Sequence, residues 1–236
     1  PSIKKSKPKF NGPKVMEKLI TKAQGYDEAT IWELSPVRMD WPEEEDTIHF
    51  LEIVFLPDDL LFIGNQYHDG AIGENIRSCK DWIDFFKSGN SAGPFICINP
   101  LSGKNALSKS GKFTYRGDYC ISSFRHCLVE FDDIPMEEQL RFWSVAELPV
   151  KALVSSGKKS IHAWLDVTKL TEVKTFDQWQ THIKSRLYES ILKPLGVDGA
   201  CSNPSRLSRL PGFMRQETNK YQSLLWLSQE GKGVTK

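Results

Sequence analysis

Hydrophobic and polar positions change period several times along this chain, and each change marks an element. Behind a basic stretch at residues 1 to 12, Pro13 suits a first helical turn, where its missing N–H would be unpaired anyway. Val15, Met16, Leu19 and Ile20 then repeat at helical spacing. Residues 47 to 64, with IHFLEIVF and DDLLFIG, run apolar and partly alternate, and read as strands. A helix is expected over residues 73 to 87, with Ile76, Trp82, Ile83 and Phe86 inward. PFICINP, at residues 94 to 100, reads as a buried strand, and the Gly- and Lys-rich LSGKNALSKSGKF after it as a loop.

From about residue 119 the pattern is more regular. YCISSFRHCLVEFD reads as a strand, and Pro135 opens a helix through Leu148 with Leu140, Phe142 and Trp143 as its larger apolar side chains. KALVSS and SIHAWLDV are two strands joined by a tight turn at Gly157. Phe176, Trp179, Ile183, Leu187 and Ile191 recur at the spacing of a long amphipathic helix over residues 175 to 193. Residues 208 to 213 and SLLWL add strand-like segments. That order is β-α-β-β-α-β, the split βαβ arrangement of an RRM-like sheet. The expectation is an α+β fold. A flexible basic tail (1–12) leads into an N-terminal α/β module (13–118), which packs against an RRM-like module (119–236) in one continuous domain. Trp82 and Trp143 are expected in the core.

Composition narrows the function classes. The chain has 236 residues, 39% hydrophobic and 26% charged, as in an ordinary globular protein. No run of about 18 apolar residues exists to span a membrane. The basic N-terminus has no apolar stretch behind it and is not a signal peptide. The chain starts without Met and ends in GKGVTK, which reads as a fragment of a longer protein. Cys79, Cys97, Cys120, Cys127 and Cys201 are odd in number and form no CxxC pair, so buried free thiols in a reducing, cytoplasmic compartment are expected. A net charge of +1 excludes a uniformly basic DNA-coating protein. Charge is uneven, though: DWPEEED at residues 40 to 46 is acidic, while Lys104, Lys109, Lys112 and Arg116 form a basic run.

Three segments carry candidate chemistry. In LVEFDD (128–133) an apolar run ends in acids. Residues two apart on a strand share a face at roughly 6 to 7 Å, so Glu130 and Asp132 project together, and a divalent cation relieves their repulsion. An ordinary acidic strand end is the plainer reading of that segment alone. In SGKKSIHAW (156–164), Lys158, Ser160 and His162 are spaced by two and offer a triphosphate cradle if all lie on the strand. A strand with one partly buried His is the alternative. In VDGACSNPSRLSRLPGFMR (197–215), Asp198 follows a long helix and is placed to approach the first acids, and Arg206, Arg209 and Arg215 are candidate phosphate ligands.

In order and spacing these segments resemble the motifs of the archaeo-eukaryotic primase superfamily, in its primase-polymerase branch. That family has an acidic pair on a strand, a Ser-x-His strand and a third Asp, matched here by Glu130 with Asp132, Ser160 with His162, and Asp198. The match takes in Lys158, two residues before the serine, and Arg209, eleven after the third acid. Arg116 is similar to an upstream arginine that meets the incoming nucleotide. NPSRLSRLPG is similar to phage and mobile-element members. The first motif departs from the usual Asp-x-Asp or Asp-x-Glu by reading Glu-x-Asp.

The resemblance implies a nucleotidyltransferase, a DNA primase or polymerase. It would act with two Mg²⁺ or Mn²⁺ ions held by Glu130, Asp132 and Asp198. NTP or dNTP would be the substrate, held by Arg116, Lys158, Ser160, His162, Arg206, Arg209 and Arg215. Single-stranded DNA template and primer are the implied partners, with a helicase or other replication domain in the full-length protein. Tyr115, Phe113 and nearby lysines are candidates to stack bases and track the template. Two other readings stand beside this one: a non-catalytic RRM-like nucleic-acid binder and a metal-dependent nuclease.

Overall fold

The structure, a computed structural model, describes residues 10–108 and 110–235. Lys109 and most of the expected basic tail lie outside the described residues. The fold is α+β, built on antiparallel sheets.

Helix α1 (Gly12–Lys22) opens where the sequence places it. The Asn11 side chain caps it, accepting from the Lys14 amide at 3.2 Å, with Pro13 in the first turn. Helix α2 (Glu28–Glu33) follows, capped by Asp27. The expected strand over IHFLEIVF is instead helix α3 (Asp46–Val54). Thr47, Phe50, Leu51 and Val54 are buried there, and their i, i+3, i+4, i+7 spacing is one helical face. That period overrides the strand preference of the β-branched residues.

Strand β1 (Leu60–Gly64) lies where expected. Strand β2 (Ile76–Ser78) takes part of the expected 73–87 helix, which begins only at α4 (Cys79–Lys87). The Ser78 hydroxyl caps α4 by accepting from the Asp81 amide at 3.0 Å, so helix and strand meet at that residue. After β3 (Phe95–Cys97), the expected loop folds into a small hairpin, β4 (Ala106–Leu107) with β5 (Phe113–Thr114).

The second half runs β6 (His126–Val129), α5 (Met136–Val145), β7 (Val150–Ser155), β8 (Ile161–Asp166) and α6, which starts at Phe176–Gln178 and continues as a π-wound helix over Trp179–Leu192. The wider winding shifts the buried face: Leu192 is buried where the regular spacing predicts Ile191, which is 45% exposed. Then come β9 (Leu207–Arg209), β10 (Phe213–Arg215), β11 (Lys220–Gln222) and β12 (Leu224–Lys232).

Strands β6, β8 and β7 lie side by side. Of the two late segments expected as strands, SLLWL joins them and the one over residues 208 to 213 does not. β9 pairs with β3 in the sheet β2-β1-β3-β9, and β12 completes the order β12-β7-β8-β6. The side chains account for the choice. Leu224 to Leu227 are all buried, as a strand covered by α2 and α3 requires, whereas β9 alternates around a single buried Ser208.

Asn99, fully buried, ties the two sheets together. Its side-chain nitrogen donates to the carbonyls of His126 and Pro204 at 2.8 and 2.9 Å. Its oxygen accepts from the Arg125 and His126 amides, both at 2.8 Å. Trp82, Trp143, Trp164, Trp179 and Trp226 are buried in the main core, and all five cysteines are free and buried. Among the described residues, no helix is long and apolar enough to cross a membrane.

Candidate active site

Strand β6 stops at Val129, so Glu130 and Asp132 lie just beyond it, not on one strand face. Gln139, at the start of α5 and fully buried, fixes this loop. Its nitrogen donates to the carbonyls of Ile134 (2.7 Å), Lys159 (3.1 Å) and Phe131 (3.3 Å). Its oxygen accepts from the Ile161 amide at 2.9 Å. One side chain thereby locks the acidic loop to the turn ahead of β8.

Asp198 reaches the same place from the far end of α6. Its amide donates to the Glu130 carbonyl at 2.9 Å, and its carboxylate accepts from the Ala200 amide at 2.9 Å, opening a short turn over Gly199–Ser202. Glu130, Asp198 and Cys201 each offer an atom within 4.8 Å of the other two. The Cys201 sulfur is 3.7 Å from Asp198 Oδ2 and 3.9 Å from Glu130 Oε2. Asp132 is not in that close set. It is exposed, and its pKa is raised by burial and then by the negative charges of Glu130 and Asp198, with Lys159 opposing.

Ser160 and His162 both address Glu130. The Ser160 hydroxyl donates to Glu130 Oε1 at 2.8 Å, and His162 Nε2 is 3.2 Å from the same oxygen. His162 Nδ1 accepts from the Arg209 amide at 3.3 Å, which leaves Nε2 as the donor toward Glu130. Ser208 Oγ lies 3.2 Å from Nδ1 and also accepts from Trp164 Nε1 at 2.9 Å. Burial pushes the Glu130 carboxyl upward. His162, Ser160 and the charge of Arg206 outweigh that and hold it at about 2.

Beside these groups opens a cavity of about 430 Å³, lined by Arg116, Arg206, Arg209, Glu130 and His162, with Gln66 and Phe95 among its walls. That volume falls in the range of small-ligand sites, roughly 300 to 1,000 Å³. Arg116 donates to the Gln66 carbonyl at 2.9 Å and lies over the Phe62 ring. Arg209 lies over the Phe95 ring at 4.5 Å, and Arg206 is 3.6 Å from Asp198 Oδ2. Burial lowers the pKa of both Arg116 and Arg209.

Besides Asp132, two candidates stand apart from this cavity. Lys158 is exposed in the turn at Gly157, ahead of β8 and not on it. Arg215 braces that turn by donating to the Ser156 carbonyl at 3.0 Å, and pairs with Glu217 at 3.6 Å. The positive φ of 69° at Gly157 makes the turn possible, and a Cβ there would meet the Tyr221 carbonyl at 3.0 Å. A larger cavity, about 840 Å³, lies between α3 and the β10–β11 hairpin, and none of these acids lines it. Cys201, Gln139 and Ser208 escape sequence reading. They act through contacts between residues distant in the chain, and no local pattern marks them.

No family model matches this chain, and no curated protein matches it. One solved fold does. The chain is similar to a primase-polymerase domain. That structure is the AEP domain of the cyanophage S-2L primase-polymerase, at 16% identity and a TM-score of 0.48, over 82% of this chain and 96% of that one.

Proposed function

We propose that this chain catalyses DNA-templated nucleotidyl transfer, primer synthesis or primer extension, with Glu130, Asp132 and Asp198 as ligands for two divalent ions. One observation carries the reading: Glu130 and Asp198 meet beside a cavity that Arg116, Arg206, Arg209 and His162 line. Acids and arginines on one hollow suit a substrate that brings both metal and phosphate.

The donor set fits Mg²⁺ or Mn²⁺. Two carboxylates converge, with His162 Nε2 3.2 Å from Glu130 Oε1 and Arg206 3.6 Å from Asp198 Oδ2, and hard oxygens suit these ions. Asp132 feels the charge of both other acids and, being exposed, has room to turn toward them. Bound there, the ions supply activation of a primer hydroxyl and neutralisation of charge at the α-phosphate.

The chain's own residues do the rest. Arg116, Arg206 and Arg209 bind the triphosphate of an NTP or dNTP, each guanidinium matching phosphate oxygens bidentately. Ser160 and His162 orient Glu130, and the His162 Nε2 donor would also be within the cavity to serve a phosphate. Lys158 and Arg215 serve the outer phosphates or hold the turn that presents them. Residues 13–118 supply Arg116 and Phe95 to the cavity and residues 119–236 supply the acids, so the two parts act as one catalytic unit. Single-stranded template and primer are the partners.

The arginine-lined cavity favours this reading over a nuclease, which shares the need for clustered carboxylates. Labelled primer–template DNA, incubated with Mn²⁺ or Mg²⁺ with and without nucleotides, tests it. Nucleotide-dependent growth of the primer, lost in Asp132→Ala, is the expected result. Shortening of the strand, or growth that persists in Asp132→Ala, rejects the proposal.

A further inference from the structure

Glu130 and Asp198 are each held through one carboxylate oxygen and turn the other toward Cys201. Glu130 Oε1 accepts from Ser160 Oγ at 2.8 Å and lies 3.2 Å from His162 Nε2, while Oε2 is 3.9 Å from the Cys201 sulfur. Asp198 Oδ1 accepts from the Ala200 amide at 2.9 Å. Its Oδ2 is 3.7 Å from the same sulfur, with Arg206 at 3.6 Å. Cys201 is fully buried, and its amide donates to the Asp198 carbonyl at 3.2 Å. The short turn over Gly199–Ser202 thus holds the sulfur against both acids. Among the described residues, this is the one group of His, Cys, Asp or Glu side chains whose donor atoms converge closely enough to share an ion.

The separations suit a small tetrahedral ion that accepts sulfur. With Zn–S about 2.3 Å and Zn–O about 2.1 Å, tetrahedral angles set sulfur and oxygen about 3.6 Å apart. The sulfur stands at nearly that distance from both free oxygens already. Donors held by partners on their other oxygen bind with little rearrangement. Mg²⁺ asks for hard oxygen ligands in an octahedron and gains nothing from the sulfur. Glu130 lines the arginine cavity, which gives an ion its way in.

We propose that Cys201 adds a third ligand to this centre and makes it a site for a thiophilic ion of the Zn²⁺ class, held by Glu130, Asp198 and the Cys201 sulfur. The thiol proton leaves to solvent as the ion binds. By occupying the two carboxylates, such an ion displaces Mg²⁺ or Mn²⁺ and arrests transfer. The arrest rests on the nucleotidyl-transfer reading, whereas the binding does not.

Co²⁺, which takes the same donors as Zn²⁺, is the probe, added to the whole chain without DNA or nucleotide. The parent should show a near-ultraviolet sulfur-to-cobalt charge-transfer band that Zn²⁺ abolishes. Cys201→Ser and Cys201→Ala should both lack it. In calorimetric titrations Cys201→Ser should bind Zn²⁺ more than about hundredfold more weakly, beyond the loss of an outer-shell partner, and Mn²⁺ less than about tenfold more weakly. Absence of the band from the parent overturns the inference, and that result needs no variant to fold. So does a band that survives in the variants, or an equal loss of Zn²⁺ and Mn²⁺ binding. Primer extension in Mn²⁺ separates the two claims. A parent that shows the band but extends no primer sinks the polymerase reading and leaves the ion site standing. A parent that extends primers without showing the band sinks this inference alone.

Discussion

The amide of Asp198 donates to the carbonyl of Glu130 at 2.9 Å, so the backbone itself brings two acids from distant parts of the chain together. Their carboxylates do not choose this arrangement, since like charges at such range repel. Removing one charge while keeping the shape should therefore spare the fold and abolish the ion site. Glu130→Gln and Asp198→Asn should each weaken Mn²⁺ binding more than about hundredfold, beyond what loss of an outer-shell partner costs. Calorimetric titration with Mn²⁺ measures this directly, and binding within threefold of the parent would exclude either residue as a ligand.

His162 contributes through two partners at once, Glu130 at 3.2 Å and the Arg209 amide at 3.3 Å. If it passes its Nε2 donor to a phosphate when an ion arrives, His162→Ala should raise the nucleotide KM about tenfold or more, the worth of a hydrogen bond to a charged group. The effect on kcat should be smaller. An unchanged KM would reject the phosphate role and leave His162 as a support for Glu130.

These residues show how much could be read in advance. Glu130, Asp198, Ser160 and His162 converge because the elements around them, β6, β8 and α6, carry strong periodic signals. Phe131 and Ile161 flank the acids and the hydroxyl with buried apolar groups, and that pattern is local. The helix over Asp46–Val54 differs from the strand its residues suggest because a short apolar run rich in β-branched residues suits either period. The fate of β9 was not legible at all. Its pairing with β3 depends on Asn99, whose bonds to Pro204 and His126 join segments that are remote in sequence. Lys158 and Ser160 share a spacing but not a strand, because the turn at Gly157 ends only at Ile161.

Gln139 is the site's least replaceable support. Gln139→Ala would strand the buried carbonyl of Phe131 and the buried amide of Ile161, and take a donor from the part-buried carbonyls of Ile134 and Lys159. Each unsatisfied buried group costs about 1 to 3 kcal/mol, partly recovered where water enters. The expected loss is therefore more than about 2 kcal/mol in urea unfolding, with nucleotide incorporation reduced even below the unfolding transition. A change within about 0.5 kcal/mol, the range of ordinary surface substitutions, would show that Gln139 does not hold the loop.

Acid sensitivity should trace to His126. It is buried on β6, with Nδ1 3.1 Å from the Ile98 carbonyl, and burial, with the charge of Arg125, lowers its pKa from 6.5 to about 3. The unfolded chain then binds a proton that the native state refuses, so stability rises with pH between about 3 and 6.5 and is lost as pH falls through that window. Glu130, held at about 2, acts in the same direction at lower pH: its contribution is intact above about 4.5 and disappears as pH drops toward 2. Asp46 opposes both, because burial raises it to about 6 and protonation there favours the fold. The comparison that isolates His126 is therefore the difference between the parent and His126→Gln, whose amide can still donate to Ile98. Between pH 7 and 5 the parent should lose more unfolding free energy than the variant does, since only the parent carries the suppressed titration. Parallel stability curves over that interval would show that the imidazole is not held neutral in the native state.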